Sequence, residues 1–161
     1  LQDTREKQPL LFPRTMVMLD ATYPATDKRR TTVSIHVVKK ALKTGDYAIQ
    51  GHEDRCLVER KGSAREIAKN TMHGKDRQRF ERELVRLKEE TAFPVLLMEG
   101  WPSQLLEEQE SAVAVDALIR LLTMYGTELL LVPSNTLRQR RAAGEWVARL
   151  LINRATHDIP K

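Results

Sequence analysis

The sequence has 161 residues, the size of one ordinary domain, and its 27 lysines and arginines against 22 acids give a net charge of +5. A hydrophobic content of 41% excludes extended disorder, and the single cysteine excludes a disulfide framework or a multi-cysteine zinc site. No apolar run reaches the roughly 18 residues of a membrane helix, so no membrane partner is expected. These features predict one basic domain over residues 1–161 in a reducing, cytoplasmic compartment, and the missing initiator methionine suggests a trimmed N-terminus.

The first part of the chain is predicted to form short strands. Apolar or β-branched runs indicate strands over residues 15–19, 32–38, 46–50 and 55–60. The segment from Asp20 to Arg30 has the composition of a mobile loop. Gly51–Asp54 separates the last two strands, which are therefore predicted to pair as a β-hairpin.

The rest of the chain alternates helices with apolar strands. Ser63, followed three residues later by Glu66, predicts the start of a short helix that runs through Ile67. Further helices are predicted over residues 75–91 and 111–125 and after Pro133, with strands over residues 95–98 and 128–132. Because this order is β-α-β-α, right-handed crossovers onto a central sheet are expected. The predicted fold class is α/β.

Positive charge is concentrated in one segment. Residues 60–88 carry ten basic and four acidic side chains, a local charge of +6, whereas residues 99–128 have a local charge of −5. On the helix predicted over residues 75–91, four cations fall within about 60° of one another by helical periodicity, while the opposite face is apolar. These cations, which we call the basic stripe, are Lys75, Arg79, Arg82 and Arg86. We expect the stripe to contact a nucleic-acid backbone, the alternative being a solvated helix face.

Two acids and an amine are predicted to meet on the hairpin. Side chains alternate along a strand, so Glu59 and Lys61 project to one face and Arg60 to the other. If the hairpin pairs across its turn, Asp46 lies near Glu59. Two such carboxylates can hold Mg²⁺, which lowers the pKa of a bound water, and an ammonium can orient that water. The alternative is a surface ion pair, since an acid two residues before a lysine is a common pattern.

Three motifs in order resemble the nuclease signature of the XPF-type structure-specific endonucleases. The run TGDYAIQGHEDRCLVERK is similar to the family's Gly-Asp strand, which leads through a hairpin to a Glu-Arg-Lys triplet. The opening DTREKQPLLF resembles the family's first motif, an Asp-x-x-Glu, and GKDRQRFERELVRL resembles its Gly-Arg-rich stretch and Arg/Glu helix. The strand ending at Glu99-Gly100 and the later Tyr125-Gly126 match as well, so the resemblance spans nearly the whole chain.

The resemblance implies a restriction-endonuclease-like fold, with a central mixed sheet flanked by helices, and cleavage of DNA phosphodiesters with Mg²⁺, for which Mn²⁺ substitutes. Position by position, Asp46 and Glu59 match the metal-binding acids and Lys61 matches the catalytic lysine. Asp3 and Glu6 match the acids of the first motif, which help to hold the metal or its waters. The expected substrate is branched, flapped or otherwise non-B-form DNA in repair, recombination or phage DNA processing.

Two arginines and two departures from the family pattern complete the resemblance. Arg5 and Arg60 match arginines that brace the site or contact phosphate. The family usually has an acid four residues after the lysine, where this chain has Arg65 followed by Glu66, so either Glu66 substitutes or the position is dispensable. No helix-hairpin-helix domain is found in residues 1–161. Junction specificity is therefore expected from a dimer, from an additional protein partner or from further chain.

Two apolar stripes on the C-terminal helices predict a homodimer. The stripes consist of Ala143, Trp146, Val147, Leu150 and Leu151 on the last helix and of Val113, Leu118, Leu121 and Leu122 on the helix before it. Two stripes exceed what one small sheet needs, and XPF-type nuclease domains dimerise through these helices. The alternative is a monomer in which both stripes pack inward.

Two other functions are compatible with the fold. XPF-type nucleases pair with inactive paralogues. One alternative is therefore that this chain is a non-catalytic, DNA-binding partner subunit. The intact Asp3, Glu6, Asp46, Glu59 and Lys61 disfavour that alternative. A restriction or defence nuclease of the same fold is the other alternative, and the sequence does not separate it from a branched-DNA nuclease.

Overall fold

A six-stranded mixed sheet forms the centre of the computed structural model, which describes residues 1–20, 29–107 and 111–156. The strands are β1 (Gln2–Asp3), β2 (Thr15–Leu19), β3 (Arg30–Ser34), β4 (Lys39–Lys40), β5 (Tyr47–Ala48), β6 (Cys56–Lys61), β7 (Phe93–Glu99) and β8 (Glu128–Val132). The central sheet has the order β4-β1-β5-β6-β7-β8. The predicted hairpin is confirmed, because β5 and β6 are antiparallel with Tyr47 opposite Val58. Strand β7 runs parallel to β6, and β8 runs parallel to β7, as crossover connections require.

The helices lie on both sides of this sheet. They are α1 (Ala64–Met72), α2 (Gly74–Glu90), α3 (Pro102–Leu106), α4 (Ser111–Tyr125) and α5 (Leu137–Thr156). One hydrophobic cluster joins α1, α2 and α4 to one face of the sheet, and a second joins α5 to the other face. Along β6 the side chains alternate between these layers: Leu57 belongs to the first cluster and Val58 to the second. No helix in the described ranges is long and apolar enough to cross a membrane.

The start of α1 follows the predicted capping pattern. The Ser63 hydroxyl accepts a hydrogen bond from the Glu66 amide at 3.2 Å, which satisfies one of the free donors of the first turn. The helix runs past the predicted end at Ile67 to Met72, because Ala68 and Thr71 continue its buried face. The next helix buries Phe80, Leu84 and Leu87 completely, as its apolar face predicts.

The segment between the first motif and the hairpin forms a separate two-stranded sheet. Its strands β2 and β3 pair antiparallel, and Met16 and Met18 pack on Ala148 of α5. The strand predicted over residues 32–38 instead spans Arg30–Ser34, and its last pair joins Ser34 to Thr15, the first residue of β2. Of the predicted mobile loop, residues 21–28 lie outside the described residues.

Most of the two predicted apolar stripes is buried within one chain. Six members are buried in the two hydrophobic clusters with 6% exposure or less: Leu118, Leu121, Leu122, Ala143, Val147 and Leu151. Each helix thus buries most of its stripe in the core on its own side of the sheet, which removes most of the surface from which a dimer was predicted. Trp146 and Val113 remain exposed, at 60% and 58%.

Candidate active site

The β5–β6 hairpin fixes the carboxylate of Asp46. Its backbone amide donates to the Val58 carbonyl at 2.8 Å, and its side-chain Oδ2 accepts the Arg60 amide at 2.8 Å. The preceding Gly45 has φ +75°, and a Cβ there would lie 3.3 Å from the Val58 carbonyl oxygen. Only glycine adopts this conformation without strain, so the Gly-Asp pair follows from the close approach of the two strands.

Lys61 lies between two carboxylates. Its side chain is only 7% exposed, and Nζ donates to Glu59 Oε1 at 2.8 Å and to Glu83 Oε2 at 2.9 Å. Burial acts to lower the pKa of Lys61, but the charges of Glu59 and Glu83 outweigh it and raise the pKa above its usual value. The lysine is therefore a fixed positive charge at every physiological pH.

Asp46 and Glu59 have raised pKa values. Burial, and then the neighbouring Glu59, raise the pKa of Asp46 to about 7. Burial also raises the pKa of Glu59, while Lys61 acts in the opposite direction. The two buried carboxylates repel each other, and the cations around them do not offset this repulsion fully. A divalent cation bound to both would supply the missing positive charge.

Asp46 and Glu59 offer two carboxylate ligands to a hard cation rather than a complete set of protein ligands. Within residues 1–20, 29–107 and 111–156, no three His, Cys, Asp or Glu side chains form a ready-made metal cluster. A magnesium ion typically uses one or two protein carboxylates and fills its remaining positions with water and substrate phosphate oxygens. Asp46 and Glu59 therefore meet the requirement for Mg²⁺.

Asp3 is fully buried and already has four hydrogen bonds. Oδ1 accepts from the Arg5 amide at 2.6 Å and from Arg5 Nε at 2.9 Å, and Oδ2 accepts from Arg5 Nη2 at 2.7 Å and the Leu42 amide at 2.9 Å. The Arg5 hydrogen bond lowers the pKa of Asp3 to about 2. The backbone amide of Asp3 also donates to the Asp46 carbonyl at 2.8 Å. These contacts make Asp3 a residue that orients Arg5 and anchors β1 beside Asp46.

Glu6 and Arg60 meet on the other face of the sheet. Arg60 Nη1 donates to Glu6 Oε1 at 2.8 Å, Arg60 Nε donates to Glu99, and Glu99 also accepts from the hydroxyl of Ser134. The guanidinium is 7% exposed, so it braces the site rather than reaching solvent. The resemblance implies that Arg60 either braces the site or contacts phosphate, and its burial favours bracing.

An open pocket of about 240 Å³ lies over the two acids. It is lined by Arg5, Lys43, Thr44, Gly45, Asp46, Glu59, Glu83 and Arg86. The pocket floor is thus acidic and its rim carries three cations. Arg86 is the member of the basic stripe that lines the pocket, while Lys75, Arg79 and Arg82 are exposed along α2.

Glu83 and Lys43 are pocket residues that were not predicted from the sequence. A signal for Glu83 is present in the sequence, because it stands three residues after Phe80 and four before Leu87, on the buried side of α2. An acid at such a position needs a buried cation, which is Lys61. Lys43 has no such signal, since it is an exposed lysine in an irregular segment.

Glu66, the possible replacement for the missing family acid, lies at the start of α1. Its Oε2 accepts the Gly62 amide at 2.9 Å, directly after β6. Its charge contributes to the raised pKa of Glu59, so it is near the site. The structure gives it a contact that holds the β6–α1 connection.

Comparison with known proteins identifies the class. Residues 3–150 match the ERCC4 domain, so the chain belongs to the ERCC4 domain family. A similar solved structure is XPF from Aeropyrum pernix, with 26% identity, a TM-score of 0.55, and coverage of 70% of this chain and 52% of that chain. A second is XPF from Aeropyrum pernix in complex with DNA, with 24% identity, a TM-score of 0.55, and coverage of 76% and 56%.

These matches confirm the family resemblance and the restriction-endonuclease-like α/β fold. The chain spans about half the length of the two solved relatives. No curated protein matches the sequence.

Proposed function

We propose that this chain is a Mg²⁺-dependent endodeoxyribonuclease that hydrolyses phosphodiester bonds in branched, flapped or other non-B-form DNA. The observation that carries the proposal is the pair of raised-pKa carboxylates, Asp46 and Glu59, beside a buried, charged Lys61. Perturbed acids in an open pocket with a fixed cation are typical of phosphoryl-transfer sites. Membership of the ERCC4 domain family supports the same conclusion.

The chain's own residues have separate functions in this mechanism. Asp46 and Glu59 would hold the metal, which supplies a bound water of lowered pKa and neutralises charge on the phosphate. Lys61 orients the attacking water and offsets the charge that develops on the phosphate oxygens. Asp3 and Glu6 act through the arginines they hold, Arg5 at the pocket rim and Arg60 behind Asp46.

A cleavage assay tests the proposal and separates it from its alternatives. The substrates are labelled duplex, fork, flap and four-way DNA of one sequence, each with Mg²⁺, with Mn²⁺ and with EDTA. We expect metal-dependent cleavage at the branch, and Mn²⁺ should substitute. Preference for one sequence in plain duplex would instead favour a restriction or defence nuclease. Binding without cleavage of any substrate would favour a non-catalytic partner subunit, or one that needs an additional protein partner.

The basic stripe is proposed to contact DNA phosphates. Replacing Arg79, Arg82 and Arg86 together by alanine should weaken binding similarly for all sequences. The slope of log K against log salt should fall by about one unit for each phosphate that the variant no longer neutralises. Fluorescence anisotropy between low and moderate salt measures this slope. The control is Arg138→Ala with Arg141→Ala on α5, across the sheet, and the two variants are compared per charge removed; an equal loss per charge would show only a general charge effect.

A homodimer through the C-terminal helices is also proposed, now restricted to their exposed residues. Trp146 is 60% exposed on α5, and Val113, Ile119 and Met124 are 58%, 54% and 58% exposed on α4. Exposed tryptophan and methionine are typical of interface cores, and a specific dimer should bury at least about 1,200 Å².

If the protein is a dimer, its molecular mass in solution should depend on the side chain of Trp146. Light scattering at micromolar concentration should give twice the 18.5 kDa of the chain, and Trp146→Glu should reduce it to one copy, since a two-fold interface would bury that charge twice. Arg138→Glu, on the same helix, is the control. A clean 18.5 kDa species across a dilution series of the unchanged protein would exclude the dimer.

A further inference from the structure

Glu83 connects the buried lysine of the site to an exposed arginine of the basic stripe. Its Oε2 accepts from Lys61 Nζ at 2.9 Å, and its Oε1 lies 3.8 Å from Arg79 Nε. The side chains of Lys61, Glu83 and Arg79 are 7%, 19% and 59% exposed, so the contacts lead from the interior to the surface. The two oxygens of one carboxylate thus face cations in two different environments.

The row of charges continues to the proposed metal-binding acid. Lys61 also donates to Glu59 Oε1 at 2.8 Å, so Glu59 and Glu83 compete for the same ammonium. Charges alternate in sign along Glu59, Lys61, Glu83 and Arg79. A movement of the Glu83 carboxylate away from Arg79 and toward Lys61 would therefore strengthen its attraction for the ammonium.

Another ion pair on the same helix has the same spacing without this connection. Arg77 Nε lies 3.1 Å from Glu81 Oε1, with side chains 46% and 33% exposed, and neither residue lines the pocket. The two pairs are both (i, i+4) Arg–Glu contacts on α2. The pair with Glu83 differs in two contacts: Glu83 also accepts from the buried Lys61, and Arg79 also lies 3.6 Å from Asp76 Oδ1.

We propose that Glu83 is a positioning residue that couples DNA binding on the basic stripe to the position of Lys61. A phosphate that engages Arg79 weakens its attraction for Glu83. The Glu83 carboxylate then attracts Lys61 more strongly, draws the ammonium away from Glu59 and leaves Glu59 Oε1 open to a cation. The site is thereby completed when DNA is in place. The inference rests on the proposed function for its consequence in cleavage, but not for the coupling itself.

The kinetic test separates positioning from DNA affinity. Glu83→Gln preserves the shape of the side chain and removes its charge. We expect single-turnover cleavage at saturating DNA to slow by about tenfold or more, with the half-saturating DNA concentration changed by less than about twofold. Arg79→Ala removes the attraction that DNA is proposed to weaken, so it should leave saturated cleavage within about twofold of the unchanged protein, and Glu83→Gln should be equally slow with or without Arg79.

The matched cycle uses the second pair. Glu81→Gln, Arg77→Ala and their combination should leave saturated cleavage within about twofold of the unchanged protein. Equal slowing by Glu81→Gln and Glu83→Gln would mean that both variants only disturb the helix, which overturns the proposal. So would a slowing of saturated cleavage by Arg79→Ala as large as that by Glu83→Gln, because the proposed coupling requires only that Arg79 release Glu83.

A second readout does not depend on cleavage. In protein with ¹³C,¹⁵N-labelled lysine, the Lys61 side-chain NMR signal, assigned with Lys61→Arg, should shift when a short metal-free duplex is added. Arg79→Ala should abolish that shift. Because the Arg79 side chain is exposed, this variant should fold, and it tests the coupling even if Glu83→Gln does not fold. A shift in a protein that cleaves no DNA would support the coupling and contradict the proposed function. A Lys61 signal unmoved by bound DNA, or the absence of DNA binding, would overturn the coupling.

Discussion

Asp46→Asn is expected to abolish cleavage while leaving DNA binding intact or tighter, and Glu59→Gln is expected to do the same. Each change removes a carboxylate that would hold the metal, which should slow cleavage by about a thousandfold or more. Each also removes negative charge that faces the DNA phosphates, which favours binding. Cleavage of the preferred branched substrate with Mg²⁺, together with anisotropy in EDTA, measures the two effects separately. Equal losses of cleavage and of binding would contradict the assignment.

The stability of Asp46→Asn against pH provides the folding control. The pKa of Asp46 is raised from its ordinary 3.8 to about 7, so the folded protein retains a proton that the unfolded chain releases. Ionisation of Asp46 therefore costs folding stability in metal-free buffer as the pH rises from about 4 to about 7. The asparagine variant lacks this cost. It should be at least as stable as the unchanged protein at pH 7, so that lost cleavage cannot be attributed to unfolding.

Arg60→Ala is expected to have the largest effect on folding. The change leaves Glu6 and Glu99 without their shared cation, and the side chains of both acids are less than 10% exposed. Removing one partner of a buried ion pair typically costs about 3–5 kcal/mol, since an uncompensated charge remains inside. The midpoint of urea unfolding measures this loss.

A control for this effect lies on α2. Arg77 has an ion pair with Glu81 at the surface, and Arg77→Ala should cost less than about 1 kcal/mol. Similar losses for the two arginines would show that the Arg60 network contributes no more than a surface contact. Arg60→Lys would retain one of the two carboxylate contacts and should fall between the two variants.

The hairpin and its acids were predictable because their signals are local. Gly45-Asp46 and Glu59-Arg60-Lys61 stand on two strands joined by a short turn, so alternation and register were enough to place Glu59 and Lys61 on one face. The same alternation correctly separated Arg60 from them. The family motifs added the expectation of a mixed sheet, which the strand order confirms.

Long-range contacts were not predictable in the same way. The carboxylates of Asp3 and Glu6 bind Arg5 and Arg60, and these partners depend on side-chain packing rather than on spacing. That the two acids also help to hold the metal or its waters stays a prediction. The apolar stripe of α5 predicts a buried face, but amphipathic spacing does not indicate whether the sheet or a second copy covers it. The structure covers most of it with the central sheet. Periodicity divides α2 into an apolar and a basic face, and this division does not predict an acid such as Glu83 on the apolar side.

The alternating faces of β6 determine which changes in length the family can tolerate. Glu59 and Lys61 lie on one side of this strand and Arg60 on the other, so inserting or deleting one residue within it would exchange the acid for the guanidinium. The Gly51–Asp54 turn has no such constraint, because both strands can keep their pairing while the turn lengthens. The number of residues between the two acids is therefore free to change during evolution. The positions of Glu59, Arg60 and Lys61 within β6 are not, because a shift by one residue moves each side chain to the other face. A relative with a longer turn would retain the chemistry, and one shifted by a single residue inside β6 would keep a recognisable sequence and lose it.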